Sequence, residues 1–155
     1  MTAKEFIHSQ CVRAGDSVFD AAAKIPIEKL SWKPLDEGRS ALELAQECAY
    51  CPLWCVDTLN TRAFDMSKME EFSKHYAESI KDWNTVEACR AAFHKNLSIF
   101  SEAMSAFPDP DMDQTIDLPW GNFTFAGIMF VPAWNCYYHL GQVNYIQTLY
   151  GDKSM

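Results

Sequence analysis

The residues best placed to do chemistry lie in the stretch WNCYYHLGQVNYIQ, Trp134 to Gln147, where one histidine stands among aromatic and apolar neighbours. Asn135 and His139 are four residues apart. On a helix their side chains share a face and can converge on a metal, a substrate or a buried partner. A second cluster is C-x2-C-x3-C at Cys48, Cys51 and Cys55. On one helix Cys48 and Cys55 stand about 10 Å apart along the axis, too far to share an ion, which excludes a three-cysteine zinc site. Cys48 and Cys51, followed by Pro52, lie two turns inside the helix that Ser40 opens, away from the helix start that activates such pairs. Packing is the expected role of all three thiols. In DPDMDQ, Asp109, Asp111 and Asp113 open like a calcium loop, but Gln114 stands where glycine is needed and Trp120 where a bidentate glutamate should close it. A solvated acidic loop is expected there. His8, His75 and His94 have no partnering motif and read as surface or packing residues.

These side chains need helices to position them. From Thr2 to Lys24, Ile7, Cys11, Ala14, Val18, Ala21 and Ile25 recur at fours and threes, and Pro26 ends the segment. After a Pro- and Gly-containing connector, Ser40 stands three residues before Glu43, a capping box for a second helix reaching about Asn60. Between Arg62 and Lys81 the pattern weakens, and a loop with a short helical piece is expected. Asn84 precedes Glu87 by three as a further cap, and Val86, Cys89, Phe93, Leu97, Phe100, Met104 and Phe107 follow at helical intervals to Pro108. PDPDMDQTIDLPWGN reads as a loop. Thr124 caps a fourth helix to Tyr150, with Gly151 as its terminator. Along it Ile128, Pro132, Asn135, His139, Gln142 and Ile146 form one row, so polar residues enter the face that should be core. Pro52 and Pro132 lie inside their helices and free the carbonyls of Cys48 and Ile128. No repeat and no strand-like alternation is evident. The expected fold is all-α, one domain over residues 1–155, a mainly antiparallel four-helix bundle.

Composition bounds the function. The 155 residues are 48% hydrophobic, with ten Phe, six Tyr and five Trp, enough for one packed core. A formal charge of −8 with no basic stripe argues against nucleic acid and against an anionic membrane surface. No segment has the roughly 18 apolar residues of a membrane span, and the first residues lack a signal pattern. A cytoplasmic protein with reduced thiols is expected.

Three stretches carry a resemblance: LSWKPLDEGRSALELAQE (Leu30 to Glu47), DLPWGNFTFAGIM (Asp117 to Met129) and NCYYHLGQVNYIQTLYGD (Asn135 to Asp152). With the helix order, they resemble the DinB/YfiT-like superfamily over nearly the whole chain. In that superfamily three histidines typically bind a divalent metal, one from the second helix and two from the fourth. The resemblance puts those positions on Glu47, Asn135 and His139, so one histidine of three remains. It implies a metal-dependent enzyme with Glu47 and His139 catalytic and Glu47, Asn135 and His139 holding zinc, nickel, iron or manganese, at lower affinity and shifted towards harder cations. Cys48, next to Glu47, is a second-rank ligand. Tyr50, Trp54, Trp134 and Tyr138 are the expected cavity walls. The implied chemistry is thiol S-transfer, isomerisation or hydrolysis on a small-molecule substrate or thiol, in a homodimer. The alternatives are a buried hydrogen-bonded pair, metal-free acid–base chemistry, or a non-catalytic small-ligand binder or dimeric structural bundle that has lost the metal.

Overall fold

Thr2 opens the first helix as its spacing to Glu5 requires. Its hydroxyl accepts from the Glu5 amide, the Glu5 carboxylate takes the Thr2 amide, and α1 runs Ala3–Ala22. The computed structural model describes residues 1–35 and 37–153. Ser40 and Glu43 form the same reciprocal pair ahead of α2, Ala41–Thr61, which closes on Arg62 in the left-handed conformation. Thr124 caps α5, Phe125–Leu149, by accepting from the Gly127 amide, and Gly151 follows with φ of 84°. Each cap satisfies amides that the first turn leaves without partners.

Three expectations need correction. The helix of Val86–Ala106, α4, is capped by Thr85 rather than Asn84: the Thr85 hydroxyl accepts from the Ala88 amide, while the Asn84 side chain turns back to the Lys81 carbonyl. Between Arg62 and Lys81 the expected short helical piece is present but longer than the loop reading allowed: α3 over Met69–Ser79, flanked by two 3-10 turns. The segment read wholly as loop contains an antiparallel hairpin, β1 Thr115–Leu118 and β2 Gly121–Thr124, in register Thr115↔Thr124 and Leu118↔Gly121. Its alternation is only Ile116 and Leu118 buried between exposed Thr115 and Asp117, too short to register among the surrounding Pro, Asp and Gly. The fold is therefore mostly helical with one small two-stranded sheet.

The four long helices pack in a ring: α2 lies against α4 and α5, and α1 against α5 and α4, while the diagonal pair α1 and α2 touches little. Asp16 with His94 and Asp20 with Arg90 show α1 and α4 running antiparallel. Ile7, Cys11, Ala14, Val18 and Ala21 of α1 are all buried, the stripe expected from their spacing. Gly15 permits a close approach, since a Cβ there would lie 2.1 Å from Phe93 Cε1. That lets the Phe93 ring reach α1 and meet Phe19 at 5.5 Å, an edge-inclined pair. Asn96 donates to the Ala49 carbonyl at 2.8 Å and Gln46 to the Trp83 carbonyl at 3.0 Å, which satisfies polar groups in the α2–α4 seam. Pro52 and Pro132 are buried within continuous helices. Among the described residues no helix is long and apolar enough to cross a membrane.

Candidate ligand pocket and its polar end

Glu47 sits two turns into α2, and Asn135 and His139 sit mid-way along α5, so the α2–α5 contact brings all three together. His139 Nε2 lies 2.9 Å and Asn135 Nδ2 3.1 Å from the same carboxylate oxygen, Glu47 Oε1. Arg39, which sequence reasoning missed, pairs its guanidinium with Glu47 Oε2. It stands just before the Ser40 cap, outside the helical register, so spacing carries no sign of where its side chain goes. His139 is only 2% exposed, and its Nδ1 is 2.6 Å from Gln142 Oε1, which holds the ring fixed through both nitrogens.

The electrostatics follow from this geometry. The hydrogen bond from His139, then the charges of His139 and Arg39, hold the Glu47 carboxyl down at about 2 despite the opposing effect of partial burial. The carboxylate is ionised at neutral pH and can only accept, so the hydrogen between it and His139 is carried on Nε2. Three N–H donors thus converge on one carboxylate. The Asn135 carbonyl oxygen is buried without a partner among the described residues.

A metal site needs lone pairs aimed at a common point. Here His139 Nε2 and the guanidinium of Arg39 face the two carboxylate oxygens of Glu47, while the Asn135 carbonyl oxygen is without a partner among the described residues. Among the described residues no three His, Cys, Asp or Glu side chains are grouped to hold a metal. Cys48 is fully buried, and burial followed by its contact with Cys136 raises its thiol well above the ordinary range. Cys51 is likewise raised, first by its hydrogen bond with Cys55 and then by burial, and burial pushes Cys11 up to about 12. Cys11, Cys48 and Cys51 are therefore protonated thiols, and Cys48 and Cys55 are buried in the packed interior. The acidic loop is ion-paired rather than merely solvated: Asp109 meets Lys4 at 2.6 Å and Asp111 meets Arg62 at 2.8 Å.

Glu47, Arg39 and Asn135 form the polar end of a cavity of about 790 Å3. Tyr50, Trp54 and Trp134 line it as expected; Tyr138 does not, because it stacks on Trp134 at 5.5 Å and turns to a different cleft. Further walls come from elements that the sequence concealed, with Phe72 and Tyr76 from α3 and Trp120 and Phe123 from the hairpin. Trp120 at the hairpin tip packs against Phe64 at 5.4 Å and Trp54 at 6.0 Å. His75, read as a surface or packing residue, anchors α3: its Nδ1 shares a hydrogen bond of 2.5 Å with the Tyr50 hydroxyl, and the Tyr50 ring also touches Phe72 and Tyr76. His139 lies behind Glu47, outside the cavity lining. Neither models of known protein families nor curated proteins give a match to this chain.

Proposed function

We propose that this protein is a four-helix bundle of the DinB/YfiT-like kind that binds a small, mainly aromatic or apolar molecule in the cavity between α2, α3, the hairpin and α5. One observation carries the reading: among the described residues the only charged groups lining the cavity, Arg39 and Glu47, neutralise each other, and aromatic rings form most of the remaining wall. Such a volume lies within the usual range for small-molecule sites, and an apolar enclosure with a few fixed polar groups is their common design. Glu47 and Asn135 would orient a polar substituent of the ligand at one end.

The same chemistry favours binding over turnover. A carboxyl held at about 2 is a weak base at neutral pH, because general-base catalysis is most effective when the pKa lies near the working pH. The cavity-lining thiol of Cys51 is protonated and therefore a poor nucleophile. The metal-dependent S-transferase, isomerase or hydrolase reading and the homodimer rest on the resemblance, and the cytoplasmic location on the sequence's composition; sedimentation and cell fractionation check the last two.

The test is titration with the neutral fluorescent probe N-phenyl-1-naphthylamine. The reading expects saturable one-to-one binding with a dissociation constant on the order of micromolar, weakened about tenfold in Val131→Trp, which fills the cavity. Absence of saturable binding, or binding unaffected by that variant with its helical circular dichroism intact, overturns it. Metal analysis after incubation with zinc, nickel or manganese is the parallel arm. One cation per chain, lost in His139→Ala, favours the metal-dependent enzyme instead.

A further inference from the structure

Gly141 has no role that the fold explains. It lies inside α5 with no unusual backbone conformation, and a Cβ built on it meets nothing within 4 Å. Glycine in a helix interior is less stable than alanine, so an unneeded glycine there marks a place where something approaches the bare backbone. Around it lies a second cleft of about 540 Å3, separate in its walls from the larger cavity except for Arg39. Tyr138 stands three residues before Gly141 and Tyr145 four after, so the two rings flank the glycine on one helix face. They are 55% and 64% exposed, with no buried packing task to perform. Gln142 bonds His139 Nδ1 through its side-chain amide, and at least one N–H of that amide has no partner among the described residues.

We propose that this cleft is a second small-molecule site and that it takes an aromatic carboxylate. The ring lies on the bare backbone of Gly141 between Tyr138 and Tyr145, and the carboxylate is met by the Arg39 guanidinium and the Gln142 amide. Flat aromatic walls over a glycine select a planar ring. A guanidinium beside an amide donor selects a planar anion, since the guanidinium fork matches a carboxylate. Glu37, exposed at the rim, opposes further negative charge and limits the ligand to a single carboxylate. Because Arg39 also holds Glu47, a ligand here shares the guanidinium with the polar end of the larger cavity, and the two sites are coupled through that one side chain. The second site stands on its own observations whether or not the larger cavity binds its apolar probe.

The experiment is an amide NMR titration of the full chain with sodium 2-naphthoate and, in parallel, with the uncharged 2-naphthalenemethanol. The expected result is saturable shifts over residues 138–145, with a dissociation constant of about 1 mM or tighter for a fragment of this size. The alcohol should bind at least about fivefold more weakly because it cannot pair with Arg39. Gly141→Leu, whose Cβ enters open space and whose side chain occupies the cleft, should weaken naphthoate about tenfold, and Tyr145→Ala, which removes one wall, should also weaken it. The proposal is overturned if naphthoate gives no saturable shifts, if the shifts fall only on the larger cavity, if the alcohol binds as well as the acid, or if both variants bind unchanged. It also fails if naphthoate does not bind and Gly141→Leu instead alters the mass of the assembly in sedimentation, which would assign this face to a second copy of the chain.

Discussion

Replacing Glu47 by Gln removes an acceptor that the N–H groups of Arg39, Asn135 and His139 share, and the consequence depends on pH. The folded carboxyl is held at about 2, below the ordinary value of roughly 4.3, so its stabilising contribution is fully present above that ordinary value and is lost as pH falls towards about 2. Denaturant unfolding of wild type and Glu47→Gln should therefore differ by a constant amount from neutrality down to about pH 5, with the gap closing below it. A gap independent of pH down to the acid limit would mean that the carboxyl is not held down. At this scale the sequence was informative about Asn135 and His139, because a four-residue spacing on a helix is a geometric statement. Glu47 came from the family resemblance, and its meeting with the other two from the α2–α5 packing. Arg39 was not legible, since nothing in a connector's residue order says which way its last side chain folds.

Helix α3 shows how an element can line a pocket while being weakly held. None of its residues is buried, and its attachment to α2 runs through the Tyr50 ring and the Tyr50 hydroxyl to His75. Tyr50→Phe keeps the ring and deletes that hydrogen bond, so it should cost roughly 1 kcal/mol and speed amide exchange in α3 ahead of α2, read by hydrogen exchange. The two interior glycines of the long helices give a paired prediction. Gly141→Ala meets nothing and should raise stability by about 0.5–1 kcal/mol, whereas Gly15→Ala drives a methyl into the Phe93 ring and should cost about 1–3 kcal/mol. Thermal melts of both variants check the signs. The long helices were readable from caps and apolar spacing because each carries several turns of repeating signal. The hairpin was not, because two buried residues in a Pro- and Gly-rich stretch are a signal shorter than the noise around them, and the cap of α4 was displaced by one residue because Asn84 and Thr85 offer equivalent oxygens and only the backbone direction chooses.

The whole molecule assembles its cavity from two separate parts of the chain, α2 with α3 and the hairpin with α5, which is why its aromatic walls could be only partly named in advance. Occupancy should accordingly link those elements: a probe at a hundred times its dissociation constant should add about 2.7 kcal/mol to stability and slow exchange in α3 and the hairpin together. A rise in melting temperature without added protection of α3 would place the probe elsewhere. The account's central claim is that the N–H groups of Arg39, Asn135 and His139 converge on an ionised Glu47, with His139 donating from Nε2. Nitrogen NMR of the His139 ring, recorded before and after one equivalent of zinc, nickel or manganese, tests it most directly. A hydrogen-bearing Nε2 that is unmoved by the cation is the result expected; an Nε2 without hydrogen that shifts stoichiometrically on adding the cation would contradict it.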